Sequence, residues 1–430
     1  MKSKLFDLRG LKYFLILWST QTLSALGSAM TSFALVIWSY QQQGSALTTA
    51  GLSAASYTPY VLLSVFAGSL VDRWDKRKAL VFCDLFAALS TAAVLVLLKT
   101  GRLEVWHLYS LSALNVLMNT ILQPATELAV TLLTPREQVQ RAGGLRSLSG
   151  SLTTLLAPAL AAAVLTLAGL EAVIAIDLVT CGAAVGSILF VIRFPEGSGP
   201  RERVPVLRSA WEGVQWLRRN RGILDIILFL AAINLIASVY NAALAPMVLS
   251  RPGGGETVLG VLQMFTGAAN LWGSVMVTLL PAPKSRVRVI CNSLLFSMST
   301  ENLMLALGRQ AEVWYAGAVL GWLLIPVMSA NLNALLRLHI PVELQGRVYA
   351  ARNTLQFFTI PVGYLLGGWL VDRVCEPYMA GLTAGNGLVR LLGGGKGSGA
   401  ALLFMWIAAA GVLVCLIFRR DRHLWRLEEE

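Results

Sequence analysis

TTAGLSAASYTPYVLLSVFA (48–67), GSLVDRWDKRK (68–78) and ALVFCDLFAALSTAAVLVLL (79–98) follow one another without a gap, and their contrast decides the fold. Each flanking stretch has about the 20 residues that carry a helix across a bilayer. The middle stretch sets six charges, Asp72, Arg73, Asp75, Lys76, Arg77 and Lys78, into eleven residues. A chain that crosses lipid, surfaces with a knot of mostly positive charge and crosses back has this pattern.

The rest of the chain repeats it. Of 430 residues, 56% are hydrophobic and only 13% charged, with a mean hydropathy of +0.65. A soluble domain carries roughly 25% charged residues, so this chain has too few to coat itself against water. Twelve apolar runs of spanning length occur near 13–39, 48–71, 79–98, 105–133, 147–168, 172–192, 222–249, 257–280, 289–307, 313–336, 353–371 and 400–418. The runs are continuous rather than alternating, and lipid offers no water to an open sheet edge, so they are expected as helices. The expectation is an all-α integral membrane protein whose first run is an uncleaved span.

The net charge of +12 does not point to nucleic acid, because it is sorted by loop. Twelve crossings put the loops in two sets; the set holding both termini contains 28 of the 35 basic residues and the other set seven. This bias predicts that both termini are cytoplasmic. The five cysteines and three histidines are dispersed without ligand spacing, so no metal, cofactor or disulfide framework is expected.

The longest inner loop follows the sixth span and divides the chain into 1–193, a linker 194–221 with a short surface helix from Ser209 to Asn220, and 222–430. The loops after spans four and ten echo each other. PREQVQRAGGLR (135–146) and PVELQGRVYAAR (341–352) share Pro135/Pro341, Glu137/Glu343, Arg141/Arg347 and Arg146/Arg352 at equal spacing. Two related six-helix bundles, with a site between them near the midplane, are a known transporter plan.

Gly68, Asp72, Arg73, Arg77 and Lys78 in the opening stretch resemble the loop motif between spans two and three of the major facilitator superfamily, Gly-x-x-x-Asp-Arg-x-x-Arg-Arg/Lys. WSTQTLSALGSAM (18–30), LLTPREQVQRAGGL (132–145) and the glycine-rich stretch before span twelve narrow the resemblance to exporters of the macrolide-efflux and enterobactin-exporter type. The resemblance implies twelve transmembrane helices in two pseudo-symmetric bundles, and a conformational latch of Gly68, Asp72, Arg73, Arg77 and Asp84. The carboxylate of Asp72 would meet the N-terminal, dipole-positive end of span eleven. The family's antiporter motif in span five survives as Gly144 and Pro158, with Thr or Ala at its other glycines; Gly144, Pro158 and Pro361 are the expected helix hinges.

Polar side chains mark inner helix faces. Asn115, Asn119, Gln123 and Glu127 recur every four residues, a face that drifts by about 40° per step. Gln21, Ser24 and Ser28 share a face of span one, Asn234 and Asn241 lie on span seven and Asn331 on span ten. In the family these four spans line the central cavity; helix–helix hydrogen bonding is the alternative. Of the acids within spans, Glu127 is the first candidate to carry a coupling proton or meet a cation and Glu301 the second, because intramembrane carboxylates are functional by default. Asp177 lies near the outer end of span six, and Asp225 at a cytoplasmic helix end.

GGGKGSG (393–399) imitates a phosphate loop but lacks the following Ser or Thr, the leading glycine spacing and a preceding strand. No nucleotide site and no enzyme constellation is expected. The combined expectation is a monomeric secondary transporter that exports small amphipathic molecules, such as macrolide-type drugs or siderophores, against protons by alternating access. The alternatives are an importer with the same fold and a lipid flippase or scramblase.

Overall fold

A computed structural model describes residues 12–71, 76–133, 139–192, 214–281, 283–341, 344–383 and 385–428. Among these residues there is helix and connecting turn but no strand. All twelve predicted spans fall on helix. Spans one to four are Lys12–Gln43, Ala46–Val71, Lys76–Lys99 and Val105–Leu133. Spans five and six form one element, Val139–Gly186, broken at Gly169, whose φ of 79° is readily available only to glycine. The break falls between the two predicted runs.

Spans seven, eight and nine are Arg221–Ser250, Glu256–Leu279 and Arg286–Leu307. Span ten is interrupted between Ala311–Leu323 and Ile325–His339, and span eleven between Gln345–Phe357 and Thr359–Trp369. In both, a proline follows the interruption by two or three residues, Pro326 after Leu324 and Pro361 after Phe358. Proline has no amide hydrogen to continue the ladder. Pro361 is among the expected hinge residues, and Pro326 is not. Span eleven ends in a wider turn, Leu370–Cys375, and span twelve is Ser398–Arg419. By length and hydropathy, eight stretches among the described residues are able to cross a membrane, one of them holding spans five and six together.

The described residues divide into two compact units. One takes in the first span up to Trp38 and the described residues from Ala55 to 192; the other takes in Ser39–Ala54 and the described residues from 214 onward. In the first unit, Phe14 and Leu17 of span one pack with Leu80 and Cys83 of span three and with Ile188 and Ile192. In the second, Ile226, Ile227 and Leu230 of span seven meet Leu294, Leu332, Leu336 and Cys415. Spans seven and eleven approach closely because Gly363 and Gly367, four apart, leave room. A Cβ on Gly363 would lie 2.6 Å from the Leu235 carbonyl oxygen, and one on Gly367 2.8 Å from Ala242 Cβ. Small residues at this spacing let helix backbones pack in lipid, where apolar burial gives little drive.

The predicted surface helix is helical over 214–219 where it is described. Leu217 is buried in the second unit's core, with Trp216 packed against it. Trp211 lies outside the described residues.

Candidate functional site: buried acids held by neutral donors

In the first unit, span one brings its polar face to two carboxylates. Gln21 Nε2 donates to Asp84 Oδ2 at 2.7 Å, and Ser28 Oγ donates to Asp177 Oδ1 at 2.8 Å. Thr91 Oγ1 of span three reaches the other oxygen of Asp177 at 3.4 Å. Asp84 and Asp177 are both buried, as is Ser24. Gln21 and Ser28 are seven residues apart, about two turns, so one face serves both acids. The same span donates from Trp18 Nε1 to the Leu145 carbonyl at 2.9 Å, tying it to the start of span five.

In the second unit, Glu301 is 4% exposed and takes two donors on one oxygen. Tyr240 Oη donates to Glu301 Oε1 at 2.6 Å and Trp322 Nε1 at 3.0 Å. Gly321 faces the same carboxylate so closely that any Cβ there would collide with it. Both donors are neutral, and span nine thus delivers its acid into the interior between spans seven and ten. Buried carboxylates need such bonds, because a charge taken out of water without partners is very costly.

The expected cavity-lining residues divide by partner. Asn234 Nδ2 donates to the Gln356 carbonyl of span eleven at 3.2 Å. Asn241 and Asn331 donate to carbonyls one turn back in their own helices, Ala237 and Val327. Asn241 and Asn119 are exposed, and Asn331 is buried. Asn115 has a buried Oδ1 with no partner among the described residues. Pro158 is buried within the span-five helix and Pro361 half-buried in span eleven. Asp72 and Arg73 lie outside the described residues, as do the side-chain surroundings of Gly68, Arg77, Gln123, Glu127 and Gly144.

Tyr240 escaped sequence reasoning because a tyrosine amid apolar residues reads as packing; only the fold sets its hydroxyl against an acid 61 positions away. One group of possible metal ligands also emerges, Asp225, Asp421 and His423. Asp421 caps the short helix Arg422–Arg426 through the His423 amide, and His423 Nδ1 lies 3.4 Å from Asp225 Oδ2. The group closes a helix end, with Asp421 as its cap and His423 beside Asp225.

Buried acids within apolar helices, present in both units, are functional candidates by default. Residues 17–364 match the pattern of the Major Facilitator Superfamily, and the chain belongs to that family of transporters, which are not enzymes. It is 25% identical over 370 residues to macrolide efflux protein A of Streptococcus pyogenes, covering 85% of this chain and 90% of that one. It is 24% identical over 371 residues to the multidrug efflux pump Tap of Mycolicibacterium fortuitum, covering 83% and 88%. Among solved structures, the nucleoside transporter NupG superposes with a TM-score of 0.70 at 11% identity, covering 95% of this chain and 99% of that one. A bacterial homologue of the iron transporter ferroportin gives 0.68 at 16%, covering 98% and 99%. These likenesses share the fold. The chain is a multi-pass membrane transporter with efflux-pump homologues.

Proposed function

We propose that this protein exports small amphipathic molecules, of the macrolide-drug or siderophore kind, in exchange for protons. The carrying observation is the similarity to macrolide efflux protein A along 85% of the chain. It works as a monomer in a bacterial cytoplasmic membrane with both termini inside. The halves 1–193 and 222–430 rock about the linker 194–221, and Asp72, Arg73, Arg77 and Asp84 latch the cytoplasmic side beside Gly68.

In this reading the polar faces of spans one, four, seven and ten wet the substrate path, and Glu127 and Glu301 carry the proton. The surroundings of Glu301 support its part. Its partners, Tyr240 and Trp322, are neutral donors that hold the carboxylate in place without supplying a fixed countercharge. A carboxylate held without a countercharge is suited to take up a proton and to release it on contact with water or substrate. Gly144, Pro158 and Pro361 give the helices that must bend their weak points.

The test is transport in proteoliposomes, with and without an imposed pH gradient, across macrolides, dyes and siderophores. Gradient-dependent movement of a macrolide or dye from the cytoplasmic face is expected. Transport indifferent to the gradient removes proton exchange, and movement only toward the cytoplasmic face removes export.

A further inference from the structure

Two hexapeptides in the chain are nearly the same. GSLVDR (68–73) ends span two, and GWLVDR (368–373) ends span eleven; they differ at one position. The first belongs to the charged loop already assigned to the cytoplasmic side. The second lies at the opposite end of its helix pair and is fully described.

Its aspartate is occupied. Asp372 Oδ1 accepts from the Ala46 backbone N–H at 3.0 Å, and Oδ2 accepts from the Leu47 N–H at 2.8 Å and from Ser45 Oγ at 2.6 Å. These are the first amides of span two, which no carbonyl within the helix can reach. A carboxylate there makes charge-assisted hydrogen bonds and sits at the positive end of the helix dipole. Ser45 Oγ in turn accepts from the Thr48 amide at 3.2 Å, so side chain and carboxylate cap the helix together.

The glycine of the hexapeptide has a matching role. A Cβ on Gly368 would lie 2.6 Å from Leu47 Cα and 2.8 Å from Ala50 Cβ. The end of span eleven and the start of span two therefore touch backbone to backbone. Around them Tyr40 pairs with Ser250 through their hydroxyls at 2.5 Å, and Gln41 with Glu256. All of these residues lie in the second unit, to which Ser39–Ala54 belongs.

We propose that Gly368 and Asp372 form an outer latch, the inverted counterpart of the cytoplasmic motif. On the inside, the aspartate ending span two would meet the start of span eleven; on the outside, the aspartate ending span eleven holds the start of span two. The contact seals the outer side while it lasts and breaks when that side opens. The inference rests on the alternating-access reading and on the orientation derived from the basic loops.

The experiment measures opening without any substrate, so that it fails independently of the export reading. Spin labels are placed on Gln42→Cys and Tyr378→Cys, both exposed, in a chain whose own five cysteines are buried. Distances are read by double electron–electron resonance in lipid nanodiscs. In Asp372→Asn the population at long distance rises at least about three-fold, whereas Asp372→Glu, which keeps the charge, stays closer to the parent. A folded Asp372→Asn protein with an unchanged distribution overturns the latch. If that variant does not fold, Ser45→Ala, which removes one of three donors, carries the same test with a smaller shift, and no shift there overturns the latch equally. Opening without macrolide or dye transport upholds the latch and counts against export alone.

Discussion

The two units bury their acids differently. In the first, Asp84 and Asp177 are met by an amide and hydroxyls, those of Gln21, Ser28 and Thr91. In the second, Glu301 is met by the phenol of Tyr240 and the indole of Trp322. Tyr240 is itself fixed edge-on against Phe404, with ring centroids 5.4 Å apart. A phenol packed against a second ring has little freedom to re-aim its donor, whereas a hydroxyl rotates to suit its acceptor. The contrast teaches that a carboxylate can be kept in a membrane by neutral donors of either kind, and that the kind decides what a helix movement does to it.

The contrast breaks most directly at Glu301. Glu301→Gln keeps an acceptor oxygen for both donors but cannot take up or release a proton, so gradient-driven transport should fall roughly tenfold or more, as expected for an acid on a membrane proton path. The transport that remains should lose its dependence on pH. Proteoliposome flux measured across pH checks this, and a variant with the parent's pH profile shows that Glu301 serves packing only.

Tyr240→Phe sharpens the comparison. It retains the ring contact with Phe404 and removes one donor, leaving Glu301 to Trp322. A buried acceptor short of a partner costs about 1–3 kcal/mol, visible as a lower melting temperature in detergent, with transport reduced less than in Glu301→Gln. Equal stability would mean that the phenol contributes nothing to holding the acid.

The smallest effect is expected in the first unit. Ser28→Ala leaves Asp177 with Thr91 at 3.4 Å, and a flexible donor of this kind is worth about 1 kcal/mol. A loss as large as that of Tyr240→Phe, measured in the same melting assay, would erase the distinction between the two kinds of support.

Much of the fold was legible. Continuous apolar runs placed the helices, and even the split between spans five and six was marked by Gly169, the residue able to turn there. Single side-chain roles were less legible. Gln21 reads as cavity lining and Asp84 as part of the charged loop; neither reading contains the hydrogen bond that joins them. Tyr240 carried no local signal as a hydrogen-bond partner, being an aromatic among apolar neighbours; Asp372 is marked by the likeness of GWLVDR to GSLVDR, but no local pattern names the helix start that it meets.

The sequence by itself determined that this chain crosses a membrane as helices and which loops concentrate its positive charge, because the energy of lipid insertion is summed along local stretches of about 20 residues. Only the tertiary structure decided which donor meets which acid. Hydrogen bonds between helices join residues as far apart as Ser28 and Asp177 or Ser45 and Asp372. Their partners are chosen by how helix faces rotate and pack, a property that belongs to the assembled bundle and to no single stretch of it.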